Sequence, residues 1–253
     1  MAGRRRRYAR RMSEPGLDLD AVHATALDLA RGAGELARRF AAEGYGSVGD
    51  IDRRMVHHLV ARYREHGILS RESGRHGPDD ARVQWLIDPL NGTDNYRIGL
   101  DLYGVTVAVL LDDRPLVAIV HDSASGRSTS AIAERGAWQE GRRLSIAAPR
   151  PATDLTVAWI EGGEVAVDDP TRQAALHMLE RSTHRVLRTG APARDWALLA
   201  EGGIEAVVIY RGEPWDLTPG RLIAREAGAA EVHHREFTIV GEPSAVEELA
   251  TAL

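Results

Sequence analysis

Residues 85–96 read WLIDPLNGTDNY, and they decide the fold of this chain. The apolar residues before them, from position 83, run into Asp88, which is the pattern of a buried strand that ends at a carboxylate. Gly92 and Thr93 follow within five residues, and glycine permits the tight backbone turn that such a change of direction needs. The stretch therefore predicts a strand, a turn and a polar site in immediate succession.

A second stretch that contains tryptophan, aspartate and glycine lies roughly 125 residues further on, where residues 215–228 read WDLTPGRLIAREAG. Between the two, residues 136–144 read GAWQEGRRL. The three stretches resemble the signatures of the inositol monophosphatase superfamily, W-x-I-D-P-I/L-D-G-T-x-N-F/Y, G-A-F-x-N-G-x-x-L and W-D-x-A-A-G-x-L-I-x-x-E-A-G. Their order and spacing make the resemblance specific, and it covers most of the chain.

The resemblance implies an α/β fold of layered α+β type, an alternating α-β-α-β-α sandwich. We expect one phosphatase-like domain at 13–253, with halves at 13–150 and 151–253 that meet at the proline-rich stretch 148–151. Apolar periodicity predicts helices at 17–43, 52–65 with Asp52 as N-cap, 169–181, 191–201, 216–228 and from 243. It predicts strands at 67–69, 83–88, 103–111, 115–121, 128–133, 155–160, 185–188, 204–210 and 236–240, with a polar loop at 73–80 and a hairpin turn at Asp112 and Asp113.

The family hydrolyses phosphate monoesters with Mg²⁺, so the resemblance also implies a metal site. Two or three ions would be held by oxygen ligands, as Mg²⁺ requires. Asp88 stands at the bridging ligand, the carbonyl of Leu90 is expected to assist, and Asp216 stands at a ligand of the second ion. Mg²⁺ is therefore the expected cofactor.

The same resemblance assigns roles around the attacking water and the phosphate. The hydroxyl of Thr93 would orient the water, and Asp52 looks like the family's water-activating or third-metal aspartate. The backbone N–H groups of Gly92 and Thr93 would hold the phosphate at a helix N-terminus.

Two positions depart from the family pattern. Arg71 stands where the family has a glutamate ligand, and Asn91 stands where it has an aspartate that contacts two ions. Together they raise the formal charge of the site by about three units, two for Glu to Arg and one for Asp to Asn. An amide oxygen at Asn91 still ligates Mg²⁺, but an arginine does not, and its charge repels the ion.

These departures leave alternatives open. A shift of one residue would let Glu72 serve as the missing ligand, or Arg71 replaces a metal and binds a substrate phosphate or carboxylate directly. The first function is Mg²⁺-dependent hydrolysis of a small sugar, cyclitol or nucleoside phosphate in a specialised biosynthetic pathway. The second is a catalytically diverged chain, a pseudophosphatase or a repurposed non-hydrolytic enzyme, that binds an anionic ligand through Arg71.

On the substrate side of the cleft, the resemblance points to Gly190, Ala191 and Asp195. Pro192 removes a backbone N–H where relatives often bind a substrate hydroxyl, or it simply begins a helix. Asp195, with Arg194, contacts substrate or is a solvated helix residue. Ile209 stands where inositol-binding relatives have a glutamate, which puts inositol itself in doubt.

The amino-acid composition restricts the kinds of partner that the chain is expected to bind. The formal net charge is -5, which argues against nucleic acid or an acidic membrane as a partner of the main body. There are no cysteines, and all 32 basic residues are arginine, so anions must be bound by arginine, histidine or backbone N–H. No apolar run approaches the ~20 residues of a membrane span. We expect a small phosphorylated or anionic substrate, a cytoplasmic location and, from the resemblance, a homodimer.

Three further features are not assigned to the site: the N-terminal residues, the adjacent histidines and the tryptophans. The arginine-rich residues 1–12 indicate a disordered basic tail or a start at Met12, since no apolar segment of a signal peptide follows. The adjacent histidines at 57–58 and 233–234 point to different faces and are expected at the surface. Four tryptophans are expected in the core: Trp85, Trp159, Trp196 and Trp215.

Overall fold

The computed structural model describes residues 17–253. The basic tail predicted for residues 1–12, and the alternative start at Met12, lie outside the described residues. In the described part the helices are α1 (Leu19–Glu43), α2 (Val48–Arg62), α3 (Thr93–Arg97), α4 (Pro170–Ser182), α5 (Pro192–Glu201), α6 (Pro214–Glu226) and α7 (Pro243–Ala252). A single 3₁₀ turn occupies Ala152–Asp154.

The strands alternate with these helices along the chain. They are β1 (Gly67–Ser70), β2 (Gly74–His76), β3 (Val83–Asn91), β4 (Gly104–Leu111), β5 (Arg114–Asp122), β6 (Arg127–Ile132), β7 (Gly136–Gln139), β8 (Arg142–Arg143), β9 (Thr156–Glu161), β10 (Arg185–Leu187), β11 (Ala206–Tyr210), β12 (Ala230–His234) and β13 (Phe237–Gly241). The predicted boundary between halves at 150/151 falls in the connection from β8 to β9.

Helix ends follow local chemistry. Asp18 caps α1 by accepting hydrogen bonds from the backbone N–H groups of Asp20 and Ala21, and Gly44 ends the helix in the left-handed conformation with φ of 71°. α2 begins earlier than predicted, because Ser47 and Asp50 cap each other's backbone N–H groups. Asp52 is therefore not the N-cap. It lies inside the helix, one turn further on.

The larger sheet has eight strands in the order β2-β1-β3-β4-β5-β6-β7-β8. β1 runs parallel to β3, and the other neighbours are antiparallel. The turn between β4 and β5 has Asp112 and Asp113 at φ of 47° and 62°, as expected of the predicted hairpin. The segment predicted as a polar loop at 73–80 contains β2, a three-residue edge strand whose only neighbour in the sheet is β1.

The smaller sheet has the order β10-β9-β11-β13-β12. β9 is parallel to both β10 and β11, whereas β13 is antiparallel to both of its neighbours. Strand β12 was not predicted. It is an edge strand in which exposed Glu231 and His233 alternate with partly buried residues, so it lacks a continuous apolar run.

The helices form layers around the two sheets. α1 and α2 cover the outer face of the larger sheet, and α4 and α7 cover the outer face of the smaller one. α5 and α6 lie between the sheets and pack on both. The predicted α-β-α-β-α sandwich is confirmed. Because α6 begins beside the end of β3, the layer between the sheets presents its first turn to the polar end of that strand.

α1 lies against the larger sheet at Gly34. A Cβ atom at this position would lie 2.6 Å from Nε2 of His121 and 2.7 Å from Oγ of Ser123. His121 and Ser123 are buried, and within the described chain neither of these two atoms has a hydrogen-bond partner. Nδ1 of His121 is hydrogen-bonded to Oγ of Ser128 at 2.9 Å. A glycine on α1 is thus a requirement of this contact.

Candidate functional site

The centre of the site is an amide between two carboxylates. Strand β3 brings Asp88 and Asn91 to its end, and the first turn of α6 brings Asp216. The Nδ2 amide of Asn91 donates to Oδ2 of Asp88 at 3.0 Å and to Oδ1 of Asp216 at 2.9 Å. Its oxygen accepts a hydrogen bond from the backbone N–H of Ala193 at 2.8 Å. The two signature segments therefore meet, as expected, through Asn91.

Arg71 lies beside this cluster because of strand register. β1 is parallel to β3, and Ser70 lies opposite Ile87. The residues that follow these two, Arg71 and Asp88, are therefore also neighbours. Nη1 of Arg71 donates to Oδ2 of Asp88 at 3.1 Å. The guanidinium carbon lies 6.0 Å from the ring centre of Trp215. Asp88 is fully buried, whereas a third of the Arg71 side chain is exposed.

Charges within the cluster balance one another. Burial disfavours the charged form of Arg71, but Asp88 and Asp216 outweigh it and raise the pKa of the guanidinium. Burial and the negative charge of Asp88 raise the pKa of Asp216 to about 6, although Arg71 and the Asn91 amide act in the opposite direction. A fixed cation and a neutral amide thus compensate two adjacent carboxylates.

The motif after β3 forms the floor of a cavity of about 520 Å³. Gly92 has φ of 84°, and a Cβ atom there would meet the carbonyl oxygen of Leu102 at 2.6 Å, so the turn requires glycine. The hydroxyl of Thr93 donates to the carbonyl of Leu90 at 2.8 Å. The walls come from Arg71, α3, β9 with its following loop, the end of β10, the start of α5 and Asp216.

Two acidic residues expected at the site lie outside this cavity. Asp52 is buried and accepts a hydrogen bond from the hydroxyl of Ser70. Glu72 is exposed, and its backbone N–H donates to Oγ of Ser70 at 3.2 Å. Arg71 occupies the inward position after β1, so the structure does not bring Glu72 to the site as the shifted register would require.

The rim expected from the resemblance is a hydrogen-bonded turn. Asp195 is buried, and its carboxyl accepts from the hydroxyl of Thr189 at 2.9 Å, while that hydroxyl accepts from the N–H of Ala191 at 3.0 Å. Burial raises the pKa of Asp195 to about 8. Asp195 is therefore not a solvated helix residue. Pro192 is the first residue of α5, as the helix-start interpretation predicts, and Gly190 lines the cavity.

Some residues of the site were not found from the sequence. Asn95 donates to the carbonyl oxygens of Leu102 and Thr189, at 2.9 and 2.7 Å, and so ties the floor to the rim. Glu161, at the end of β9, and Arg188 also line the cavity, and neither was predicted as a site residue. The one signal in the sequence that could have indicated Glu161 was its position as a polar side chain at the end of an apolar strand.

The tryptophan and histidine predictions are mostly confirmed. Trp85, Trp159 and Trp196 are buried, and Nε1 of Trp196 donates to the backbone carbonyl of Asp216 at 2.6 Å. Trp215 was predicted wrongly. It is only partly buried and donates to Oε2 of Glu213 at 2.6 Å beside Arg71. His57, His58 and His233 are exposed, as expected, whereas His234 is partly buried.

The donor set at this site does not fit a Mg²⁺ cluster. Such ions need several oxygen ligands in near-octahedral array. Here the oxygen of Asn91 is turned to Ala193, the Leu90 carbonyl accepts from Thr93, and Arg71 lies against Asp88. Between residues 17 and 253, no group of three or more acidic, histidine or cysteine side chains has the arrangement of a metal site.

A model of the inositol monophosphatase family matches residues 46–244. This chain belongs to the inositol monophosphatase family. Members of this family generally use Mg²⁺, so the donor set described above is a departure within it. The match extends from the capping box of α2 to the start of α7 and includes both signature segments.

Comparisons with individual proteins also support membership of the inositol monophosphatase family. The chain is 32% identical to the Nus factor SuhB of Salmonella typhimurium over 166 residues, which are 66% of this chain and 62% of that protein. It is 27% identical to a fructose-1,6-bisphosphatase/inositol-1-monophosphatase of Aquifex aeolicus over 190 residues, 74% and 68% of the two chains. The inositol monophosphatase structure from Anabaena superposes with a TM-score of 0.85 at 21% identity, over 93% and 96% of the chains.

The predictions about partners have unequal support. No helix within residues 17–253 combines the length and apolar character needed to cross a membrane. The homodimer, the absence of a nucleic-acid partner and the cytoplasmic location stay predictions.

Proposed function

We propose that this chain is a catalytically diverged inositol monophosphatase relative that binds a small phosphorylated sugar, cyclitol or nucleoside without Mg²⁺. The observation that supports this is the position of Arg71, which contacts Asp88 and lines the cavity. An arginine presents several N–H donors in one plane and forms charge-assisted hydrogen bonds with phosphate oxygens. Arg71 would supply the positive charge that a metal ion supplies in hydrolytic relatives.

Backbone donors adjoin Arg71 in the same cavity. α3 begins at Thr93, and the first N–H groups of a helix have no partner within it. Gly92 lets the chain turn there without a side chain in the way. A phosphate against Arg71 would therefore meet donors from both the side chain and the backbone of the motif.

The two retained carboxylates take a different role in this proposal. Asp88 and Asp216 raise the pKa of Arg71 and hold the guanidinium beside the cavity, while Asn91 joins the two carboxylates to each other. Their function is to position a cation that belongs to the chain. No step of hydrolysis is assigned to them.

Mg²⁺-dependent hydrolysis of a similar phosphate monoester is the second candidate. It is favoured by the proximity of Asp88 and Asp216, and by Thr93 at the cavity floor. The Aquifex aeolicus relative bears the name of a phosphatase. In this candidate one ion would be bound, and Arg71 would move away from Asp88.

Calorimetry separates the two candidates. Inorganic phosphate is titrated into the wild-type chain in chelator and then with Mg²⁺ present. The proposal expects binding in chelator that is lost in Arg71→Ala and unchanged in Arg75→Ala, a matched exposed arginine outside the cavity. Phosphate binding that requires Mg²⁺, together with Mg²⁺ binding abolished by Asp88→Asn, contradicts the proposal and supports hydrolysis.

A second experiment restores the family's residues. The double variant Arg71→Glu with Asn91→Asp is assayed for Mg²⁺-dependent release of phosphate from a panel of sugar, cyclitol and nucleoside phosphates. If only the metal ligands have diverged, the variant gains activity over wild type. If it binds Mg²⁺ without gaining activity, the rest of the cleft has diverged as well.

A further inference from the structure

Besides Arg71, two arginines line the cavity, Arg97 and Arg188, and neither is used by the site around Arg71. Arg188 directly follows β10. About half of its side chain is exposed, and its nearest carboxylate oxygen, Oε1 of Glu161, lies 3.8 Å away. Within residues 17–253 it forms no hydrogen bond to another side chain.

Glu161 is already bound by other groups. Nε and Nη2 of Arg172 donate to its two oxygens at 2.6 and 2.9 Å, and Nε1 of Trp159 donates to Oε2 at 2.7 Å. Arg172 is almost completely buried, so this fork is a fixed part of the wall. The negative charge of Glu161 is therefore compensated before Arg188 is considered.

The other charges of the cavity are also paired. Arg97 forms an ion pair with Asp94 at 3.0 Å, and Arg71 forms one with Asp88 at 3.1 Å. The carboxyl of Asp195 is buried under the turn that ends in Ala191 and is bound to Thr189. Among the arginines that line the cavity, within the described residues, Arg188 is thus the one with no carboxylate at hydrogen-bonding distance, since its ion pair with Glu161 is 3.8 Å long.

We infer that Arg188 binds a second anionic group of the ligand, which makes the ligand a small molecule with two anionic groups, one phosphate at Arg71 and a phosphate or carboxylate at Arg188. This inference rests on the proposed function, because it places the first phosphate at Arg71. Both arginines line the same cavity of about 520 Å³, which has the size of sites that enclose whole small molecules, so a single ligand would contact both.

The wall around Arg188 offers little apolar surface. Trp159 and Ile160 line the cavity but are almost completely buried, and Gly163 leaves the backbone of the following loop open to contact. The ligand is therefore defined by its two anionic groups. Arg188 would then determine specificity by distinguishing doubly anionic ligands from monophosphates.

The test uses a graded series of probes. Alkane-1,ω-diphosphonates with two to six methylene groups are compared by calorimetry, in chelator, with alkylphosphonates of equal length. We expect one diphosphonate length to bind wild type about tenfold more tightly than its matched monophosphonate. This advantage should disappear in Arg188→Ala and persist in Arg185→Ala, a control at an exposed arginine of β10 that does not line the cavity.

Two results would overturn the inference. In the first, no diphosphonate binds more tightly than the monophosphonate of equal length. In the second, the tighter binding of a diphosphonate survives in Arg188→Ala. Arg188→Lys, which keeps the charge, should retain part of the advantage. Failure of the proposed function is distinguishable, because it appears as inorganic phosphate binding that survives Arg71→Ala. A far-UV circular-dichroism spectrum and a Tm equal to those of wild type show that Arg188→Ala is folded.

Discussion

The side-chain oxygen of Asn91 accepts a hydrogen bond of 2.8 Å from the backbone N–H of Ala193, at the start of α5. This contact fixes the orientation of the amide, since the opposite end must then be the NH₂ group. That group faces the two carboxylates, Asp88 and Asp216. A single residue thus converts a pair of mutually repelling acids into a hydrogen-bonded cluster.

Asn91→Asp should destabilise the chain when divalent cations are removed. The substitution loses both amide donors and adds a third buried carboxylate against Asp88 and Asp216, at a cost of roughly 3 kcal/mol or more. In chelator, the variant should have a lower Tm than wild type. Addition of Mg²⁺ should then raise the Tm of the variant more than that of wild type. Equal melting temperatures in chelator would contradict the orientation of the amide.

Asp195→Asn should remove a pH dependence of stability. Burial raises the pKa of Asp195 from 3.8 to about 8. The folded chain therefore keeps a proton that the unfolded chain loses, and wild-type stability falls as pH rises from about 4 to about 8. The slope contributed is at most about 1.4 kcal/mol per pH unit.

The measurement for Asp195 is urea unfolding across this pH range. Asn cannot ionise, so the curve of the variant should be flatter than that of wild type. Asp79→Asn, at an exposed loop residue, is the control and should leave the curve unchanged. Parallel curves for wild type and Asp195→Asn would show that the carboxyl ionises normally.

Two glycines of α1 should respond oppositely to alanine. Gly34→Ala places a Cβ against His121 and Ser123 and should destabilise the chain by about 1–3 kcal/mol. Gly32 is exposed and has open space around it, so Gly32→Ala should stabilise by about 0.5–1 kcal/mol. Denaturant unfolding of both variants checks this, and a stabilising Gly34→Ala would exclude the close contact of α1 with β5.

His121 should make the chain sensitive to acid. Burial is the main cause that lowers its pKa from 6.5 to about 4, with Arg31 and Arg38 adding to the effect and Asp122 and Glu140 opposing it. The contribution of neutral His121 to stability is present above pH 6.5 and is lost as pH falls toward 4. His121→Gln should flatten the stability curve between these values, whereas exposed His57→Gln should not. A variant curve parallel to wild type would refute this.

Much of the fold was predictable because it depends on local patterns and on two specific signatures. The amphipathic run of α1 and the turn at Asp112 and Asp113 were evident from spacing alone. The start of α2 was misplaced because the Ser47–Asp50 capping box was overlooked. β12 was missed because an edge strand with one partner needs few apolar residues.

The site was predictable to the level of its residues but not of their contacts. The resemblance placed Arg71 and Asp88 at ligand positions of one site, but their ion pair was not predicted, and the orientation of Asn91 depends on Ala193, 102 residues away in sequence. The fork between Arg172 and Glu161 likewise joins a helix to a strand end. Such long-range pairs leave no signal in a single sequence.

The mutual compensation of Arg71, Asn91, Asp88 and Asp216 also constrains how this chain can change. Restoring a glutamate at Arg71 alone would leave three carboxylates with only an amide to balance them, and restoring an aspartate at Asn91 alone removes the bridge. Each single reversion passes through a less stable protein, and only the two together rebuild an acidic cluster that a divalent cation can neutralise. The two positions are therefore coupled, and we expect any stepwise exchange from this arrangement to a metal-binding one to pass through a chain of lower stability.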